Sequence, residues 1–183
     1  MVRNYVKKMT NQSWSKIAMD EAVRKGPADL NIKNILPCEN PEQYPSYFLV
    51  ERKKINRTHD VFNGEIKHAV DVDETTVFYF NLAKWGDGGY KPNYFVLNET
   101  NACEAFFKYI KNDITFILRS AGRPAKCPIK AGVIPMVNFN FDYRKAPQEC
   151  LYGDFKIIFL LLKDGVPKLC NVIYAESTPK KLW

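Results

Sequence analysis

Five cysteines (Cys38, Cys103, Cys127, Cys150 and Cys170) and two histidines (His59 and His68) are the side chains of this 183-residue chain best suited to do chemistry. Their spacing argues against most of it. Zinc is held by closely spaced ligand pairs, and no C-x-x-C occurs, so no metal site is expected. A cysteine or serine nucleophile needs a histidine base that a third group orients. Neither histidine stands in such a setting, and neither G-x-S-x-G nor H-E-x-x-H is present. Asp71, Asp73 and Glu74 are the densest acidic group, but they fall between two extended runs, where a solvated turn accounts for them better than paired hydrolytic carboxylates. Gly86-Asp87-Gly88-Gly89 is no phosphate cradle, because an extended run follows it instead of a helix. The residues point away from an enzyme and away from any cofactor.

Cross-linking or burial remains for the cysteines. Cys103 falls in the first turn of an expected helix and Cys127 just beyond its end, which suggests a staple from the helix to the next strand. In a reducing compartment the same two would be small buried hydrophobes. Two bridges among five cysteines can be drawn in many ways, and spacing does not choose among them.

The helix is expected over about 102–120. Asn101 with Glu104 reads as a capping box, and Cys103, Phe106, Phe107, Ile110, Ile114 and Ile117 recur at helical spacing. Lys108, Lys111, Asn112, Thr115 and Arg119 take the opposite face, and Gly122 and Pro124 end the run. Around it the texture is that of strands. Short extended runs are expected at 31–36 and 47–55, then a strand alternating through Phe62, Gly64, Ile66, His68, Val70 and Val72, which places His68 on the apolar face. Thr75 to Trp85 should be central and Tyr90 to Asn98 should return from it. Val133 to Tyr143 alternates again, and Asp164-Gly165 joins two apolar runs as a tight hairpin. About seven or eight strands and one helix imply a mostly β, two-sheet sandwich.

The net charge of +7 includes +3 within residues 1–30 and is otherwise dispersed among acids; no basic cluster interleaved with aromatics, RNP-type motif or helix-turn-helix is present, so no nucleic-acid partner is expected. No apolar run approaches the ~20 residues of a membrane span. Residues 1–30 read as an N-terminal extension in which Ser13 caps a short helix carrying Trp14, Ile17, Ala18 and Ala22, ended by Gly26-Pro27. No apolar signal-type segment follows the basic start. Sequons at Asn11, Asn56 and Asn98 nonetheless fit a secretory route.

The motifs Cys127-Pro128-Ile129-Lys130-Ala131-Gly132, Gly153-Asp154-Phe155-Lys156-Ile157 and Leu169-Cys170-Asn171-Val172-Ile173-Tyr174-Ala175 resemble, in type, order and spacing, the ganglioside-activator branch of the ML lipid-recognition family. Phe62-Asn63-Gly64 and Gly88-Gly89-Tyr90-Lys91-Pro92-Asn93 look like its insect members, including the CheB-type chemosensory proteins. The match covers roughly residues 31–176 of a single domain over 31–178. The resemblance implies a β-cup with an apolar cavity beside the helix, binding a lipid or other hydrophobic small molecule without chemistry. It pairs Cys38 with Cys170 and Cys103 with Cys127. Cys150 then matches no cysteine of the family and keeps its thiol, and further bridges of that branch have no equivalent here. Of the 25 aromatic residues, Phe78, Phe80, Trp85, Phe106, Phe107, Phe139 and Phe141, together with Ile110, are the expected cavity lining or gate. With the sequons at Asn56 and Asn98, the expectation is a secreted, glycosylated protein, with a membrane surface, compatible with the basic charge, or a membrane receptor as a further partner. The competing reading is an extracellular accessory module of the same fold that binds a receptor or channel with no ligand inside.

Overall fold

The computed structural model describes residues 25–145 and 149–180. Within them the order is β1 (Lys25–Pro37), β2 (Tyr47–Lys54), β3 (His59–His68), β4 (Thr76–Gly86), β5 (Gly89–Glu99), α1 (Ala102–Tyr109), α2 (Lys111–Ser120), β6 (Gly132–Asp142), β7 (Glu149–Leu151), β8 (Gly153–Lys163) and β9 (Val166–Pro179). The strands form two antiparallel sheets, one of six in the order β5-β4-β8-β9-β1-β7 and one of three in the order β2-β3-β6. The mostly β, two-sheet expectation is met.

The composition of each strand explains its place. Ile157 to Leu162 has no polar position, the pattern of a strand with neighbours on both edges, and β8 pairs with β4 on one side and β9 on the other. The β8–β9 hairpin turns on Asp164 and Gly165, both left-handed with φ of 53° and 73°, a conformation that Asp tolerates and Gly adopts freely. β3 alternates with Phe62 and His68 inward, and β6 carries one extra residue between Met136 and Phe139, opposite the step from Gly64 to Phe62. Gly64 is required there: a Cβ would stand 2.1 Å from the Leu49 carbonyl oxygen of β2.

The core lies between the sheets. Phe62, Ile134, Met136 and Phe139 of the smaller sheet meet Leu161 and Leu169 of the larger, and Cys103, Phe106, Ile114, Ile117 and Leu118 of the helices close over them. Two disulfides are present, Cys38–Cys170 with Cα atoms 5.5 Å apart and Cys103–Cys127 with 5.9 Å. Both separations lie within the range a disulfide bridges. Cys150, half-buried in β7, takes part in neither.

Three expectations need correction. The single helix over 102–120 is two: Ile110 leaves helical geometry at φ −131°, ψ 37° between α1 and α2. The stretch Ile110-Lys-Asn-Asp-Ile-Thr115 is rich in β-branched and Asn/Asp residues, which favour the helix weakly, and the break lets each half lie on a different sheet. The larger sheet begins at Lys25, inside the stretch read as an extension. Gly26 and Pro27, expected to stop a helix, pair with Cys150 and Glu149 instead. The third strand ends at His68, and Val72 makes only an isolated bridge to Ile129. The expected helix at Ser13 and the sequon at Asn11 lie outside the described residues.

Candidate functional site

The inner faces of the two sheets carry the aromatic residues in two groups. On the larger sheet, Phe78 and Phe80 of β4 stack at 6.4 Å, and Phe159 of β8 lies 5.3 Å from Phe78. Phe106 of α1 meets Phe78 edge-on at 5.7 Å and Phe159 at 6.4 Å, so α1 is seated on this sheet through one ring. On the smaller sheet, Phe62 faces Phe139 and Phe141 at 6.4 and 6.5 Å. There a file of rings runs from the surface inward: Phe116 of α2, 48% exposed, lies 5.8 Å from Phe139, which is 6.4 Å from Phe141, which meets Tyr143 edge-on at 5.0 Å.

The two helices lie over the strands that carry these groups. Asn101 caps α1 by accepting the Glu104 amide at 3.0 Å. After α2 the chain is held by Arg123, whose guanidinium donates to the Lys130 carbonyl at 2.7 Å and the Val133 carbonyl at 3.2 Å. Beside it His68 is buried; burial and the Arg123 charge lower its pKa to about 4, so the imidazole is neutral at pH 7. Its inward position is the one its alternation implied. Where the helices meet, Tyr109 and Ile110 are exposed by 48% and 44%, which makes an apolar rim with Phe116.

At the inner end of the ring file stands a polar group. Asp60, fully buried, precedes Phe62 by two residues and therefore shares its inward face. Its Oδ2 accepts the Tyr143 hydroxyl at 2.5 Å and lies 3.6 Å from the Arg52 guanidinium. The Tyr143 oxygen accepts the Ile32 amide of β1 in turn, at 3.1 Å. Burial and the Asp60 carboxylate push the Tyr143 pKa up, so the phenol keeps its proton and acts as the donor.

Of the residues expected to line or gate a cavity, Phe78, Phe80 and Phe106 form the first group, and Phe139 and Phe141 belong to the second. Phe107 packs against the core from α1, and Ile110 is at the helix break. Trp85 stands apart from all of them. It is half-exposed and packs edge-on against Tyr90 at 4.9 Å, and Tyr90 reaches Tyr174 at 5.9 Å on the outer face of the larger sheet. β4 keeps its alternation against β8 from Thr76 to Lys84, so Trp85 shares the face of Val77 and Tyr79, opposite Phe78 and Phe80; the extra residues at the β4–β5 irregularity belong to β5, where Phe95 pairs with Leu82 and Lys91 with Lys84. Phe116, Tyr143 and Asp60 were not among the expected site residues. The signal for Asp60 was its parity with Phe62; for Tyr143 and Phe116 the contacts are long-range and left no local trace.

Asn56 lies exposed in the β2–β3 turn and Asn98 exposed on β5. Among the described residues no group of three His, Cys, Asp or Glu is placed to hold a metal ion, and no helix is long and apolar enough to cross a membrane. The Asp71 and Asp73 carboxylates serve the turn: Asp71 accepts Lys130 and the Ala131 amide at 2.8 Å each, and Asp73 accepts Lys163 through both oxygens. Salt-bridging holds both carboxyls below the usual carboxylate range. The inner faces are aromatic on both sheets, with the buried Asp60 carboxylate at the end of the Phe139–Phe141–Tyr143 file. No protein-family model matches this sequence, and no curated protein is significantly similar to it.

Proposed function

We propose that this chain binds and carries, or presents, a lipid or another hydrophobic small molecule without chemistry, as an extracellular member of the ML lipid-recognition family related to its ganglioside-activator branch. The observation that carries this reading is the ring file from exposed Phe116 through Phe139 to Phe141. A half-exposed aromatic continuous with inner rings is what an apolar chain needs to pass from water into the protein, since binding is driven by apolar area removed from water at ~25 cal/mol per Å². The two disulfides join the cysteines that the family resemblance pairs, and such bridges persist in oxidising compartments. With the likeness to CheB-type proteins they favour a secreted carrier of chemosensory ligands such as a cuticular hydrocarbon pheromone, with a membrane or a membrane receptor as the delivery partner.

The second reading, an accessory module that binds a receptor or channel, draws on the outer face, where Trp85, Tyr90 and Tyr174 form an aromatic row away from the interior. Native mass spectrometry of protein secreted from a eukaryotic host separates the two. A co-purified mass of lipid size, lost in Phe139→Asp, is expected for the carrier. Bare protein that also fails to bind the apolar dye N-phenyl-1-naphthylamine would put the module ahead.

A further inference from the structure

Buried polar atoms with no hydrogen-bond partner among the described residues occur at both ends of the β1–β9 pairing: Asn171 Oδ1 at the end near Cys170, and two more at the opposite end of the interior that we read as a ligand site. One is Asp60 Oδ1; the other is Ser177 Oγ, on a residue 2% exposed. Topology brings both to the same end of the sandwich. Ser177 pairs with Leu30 of β1, two residues from Ile32, whose amide holds Tyr143, which holds Asp60. Asp60 Oδ1 is an acceptor that lacks a donor, and a buried carboxylate oxygen left so is costly unless something supplies a hydrogen. Tyr143 and Arg52 are both on the Oδ2 side. Tyr143 is also the last ring of the file that begins at Phe116. A chain lying along that file would bring its end group to this carboxylate.

Resting on the carrier reading, we propose that Asp60, at the end of the sandwich that also carries Ser177, forms a polar subsite that selects ligands whose apolar chain ends in a hydrogen-bond donor, a hydroxyl or a protonated amine. Such a group gives its hydrogen to Asp60 Oδ1, and a hydroxyl also accepts one from Ser177 Oγ. A carboxylate head has no hydrogen to give at neutral pH and sets its oxygens against another acceptor. An ester has none at any pH. The subsite therefore sorts lipids by head group, while the rings admit any chain.

Displacement of N-phenyl-1-naphthylamine at pH 7.4 by 1-dodecanol, dodecylamine, dodecanoate and methyl dodecanoate tests this. Dodecanol and dodecylamine are expected to compete at concentrations at least tenfold lower than dodecanoate and the ester. Ser177→Ala should weaken dodecanol several-fold and leave the ester unchanged. Asp60→Asn, which turns an amide donor toward the ligand while its oxygen keeps Tyr143, should reverse the preference toward the ester and dodecanoate. If this variant does not fold, the wild-type series and Ser177→Ala decide. Dye binding with dodecanol and the ester equally effective would mean that Oδ1 holds only a buried water, and would overturn the subsite while leaving the carrier reading intact. No binding of the dye or of any dodecyl compound would overturn both.

Discussion

The two long sides of the sandwich are closed by different kinds of bond. Along the β1–β2 side the contacts are directional and spaced over the whole length. Asn171 donates to the Leu36 carbonyl of β1 and the Phe48 carbonyl of β2 at 3.1 and 2.9 Å, and the Ser46 amide donates to the Lys168 carbonyl at 2.9 Å. Arg52 reaches both Asn31 and Asp60, and Cys38–Cys170 ties β9 to the end of β1. Along the helix side the sheets are joined through α1 and α2, which rest on Phe78, Phe159 and Phe139 by ring contacts and are tethered by Cys103–Cys127 and Arg123. Hydrogen bonds and a covalent bridge fix distances, whereas ring contacts tolerate sliding. The lesson is that one side acts as a spine and the other as the more yielding side, which is also where Tyr109, Ile110 and Phe116 are exposed.

Removing each disulfide tests the contrast most severely. Cys38→Ser with Cys170→Ser opens a loop with a sequence separation of 132 and should cost about 5 kcal/mol in urea unfolding, enough to unfold a domain of ordinary stability. Cys103→Ser with Cys127→Ser should cost about 3 kcal/mol and should raise hydrogen exchange in α1 and α2 before it does so in β1 or β2. Equal exchange on both sides would remove the distinction.

Acidification should loosen the helix side through His68. Its folded pKa lies below the ordinary value of 6.5, so between pH 6.5 and about 4 the unfolded chain binds the extra proton and stability rises with pH. Lowering the pH across that window should cost up to about 3 kcal/mol, and His68→Gln should flatten the dependence. On the opposite side Asn171→Ala leaves the Leu36 and Phe48 carbonyls without their amide donor and should cost about 2 kcal/mol by thermal unfolding, with no change in pH dependence. The smallest effect on stability belongs to Phe116→Ser, within ~0.5 kcal/mol because the ring is half-exposed. It should still slow binding of N-phenyl-1-naphthylamine in stopped-flow fluorescence. An unchanged rate would move the opening elsewhere.

How much of this was legible in the sequence depended on range. Alternation from Phe62 to His68, the Asn101–Glu104 box and the Asp164-Gly165 turn are local patterns, and each produced the element expected; β6 formed as expected too, but its extra residue turns Val137 outward and Met136 inward, against the alternation that set Val137 with Phe139 and Phe141. The break at Ile110 was masked because the apolar spacing continues across it; only the weak helix formers after it hint at a change. Alternation sets Trp85 with Val77 and Tyr79, opposite Phe78 and Phe80, and the structure keeps that parity; counting Trp85 with the cavity residues ran against it. The Cys103–Cys127 staple was suggested by the helix between the two cysteines, whereas Cys38–Cys170 came through resemblance alone. Asp60, Tyr143 and Ile32 come together from positions up to 111 residues apart, and no short window contains that triad.

The Cys38–Cys170 bridge has a mechanical meaning. β1 and β9 run antiparallel with Ala28 beside Pro179 at one end and Pro37 beside Asn171 at the other, next to the bridge. Tension applied at Lys25 and Pro179 therefore peels the two strands apart pair by pair, as a zipper is opened, until it meets the covalent link. Everything from β2 to β8, including all of the smaller sheet, lies inside the closed ring of chain and carries no load. Pulled at these two points, the protein would give up the β1–β9 pairing first and keep the chain between Cys38 and Cys170 closed in its ring.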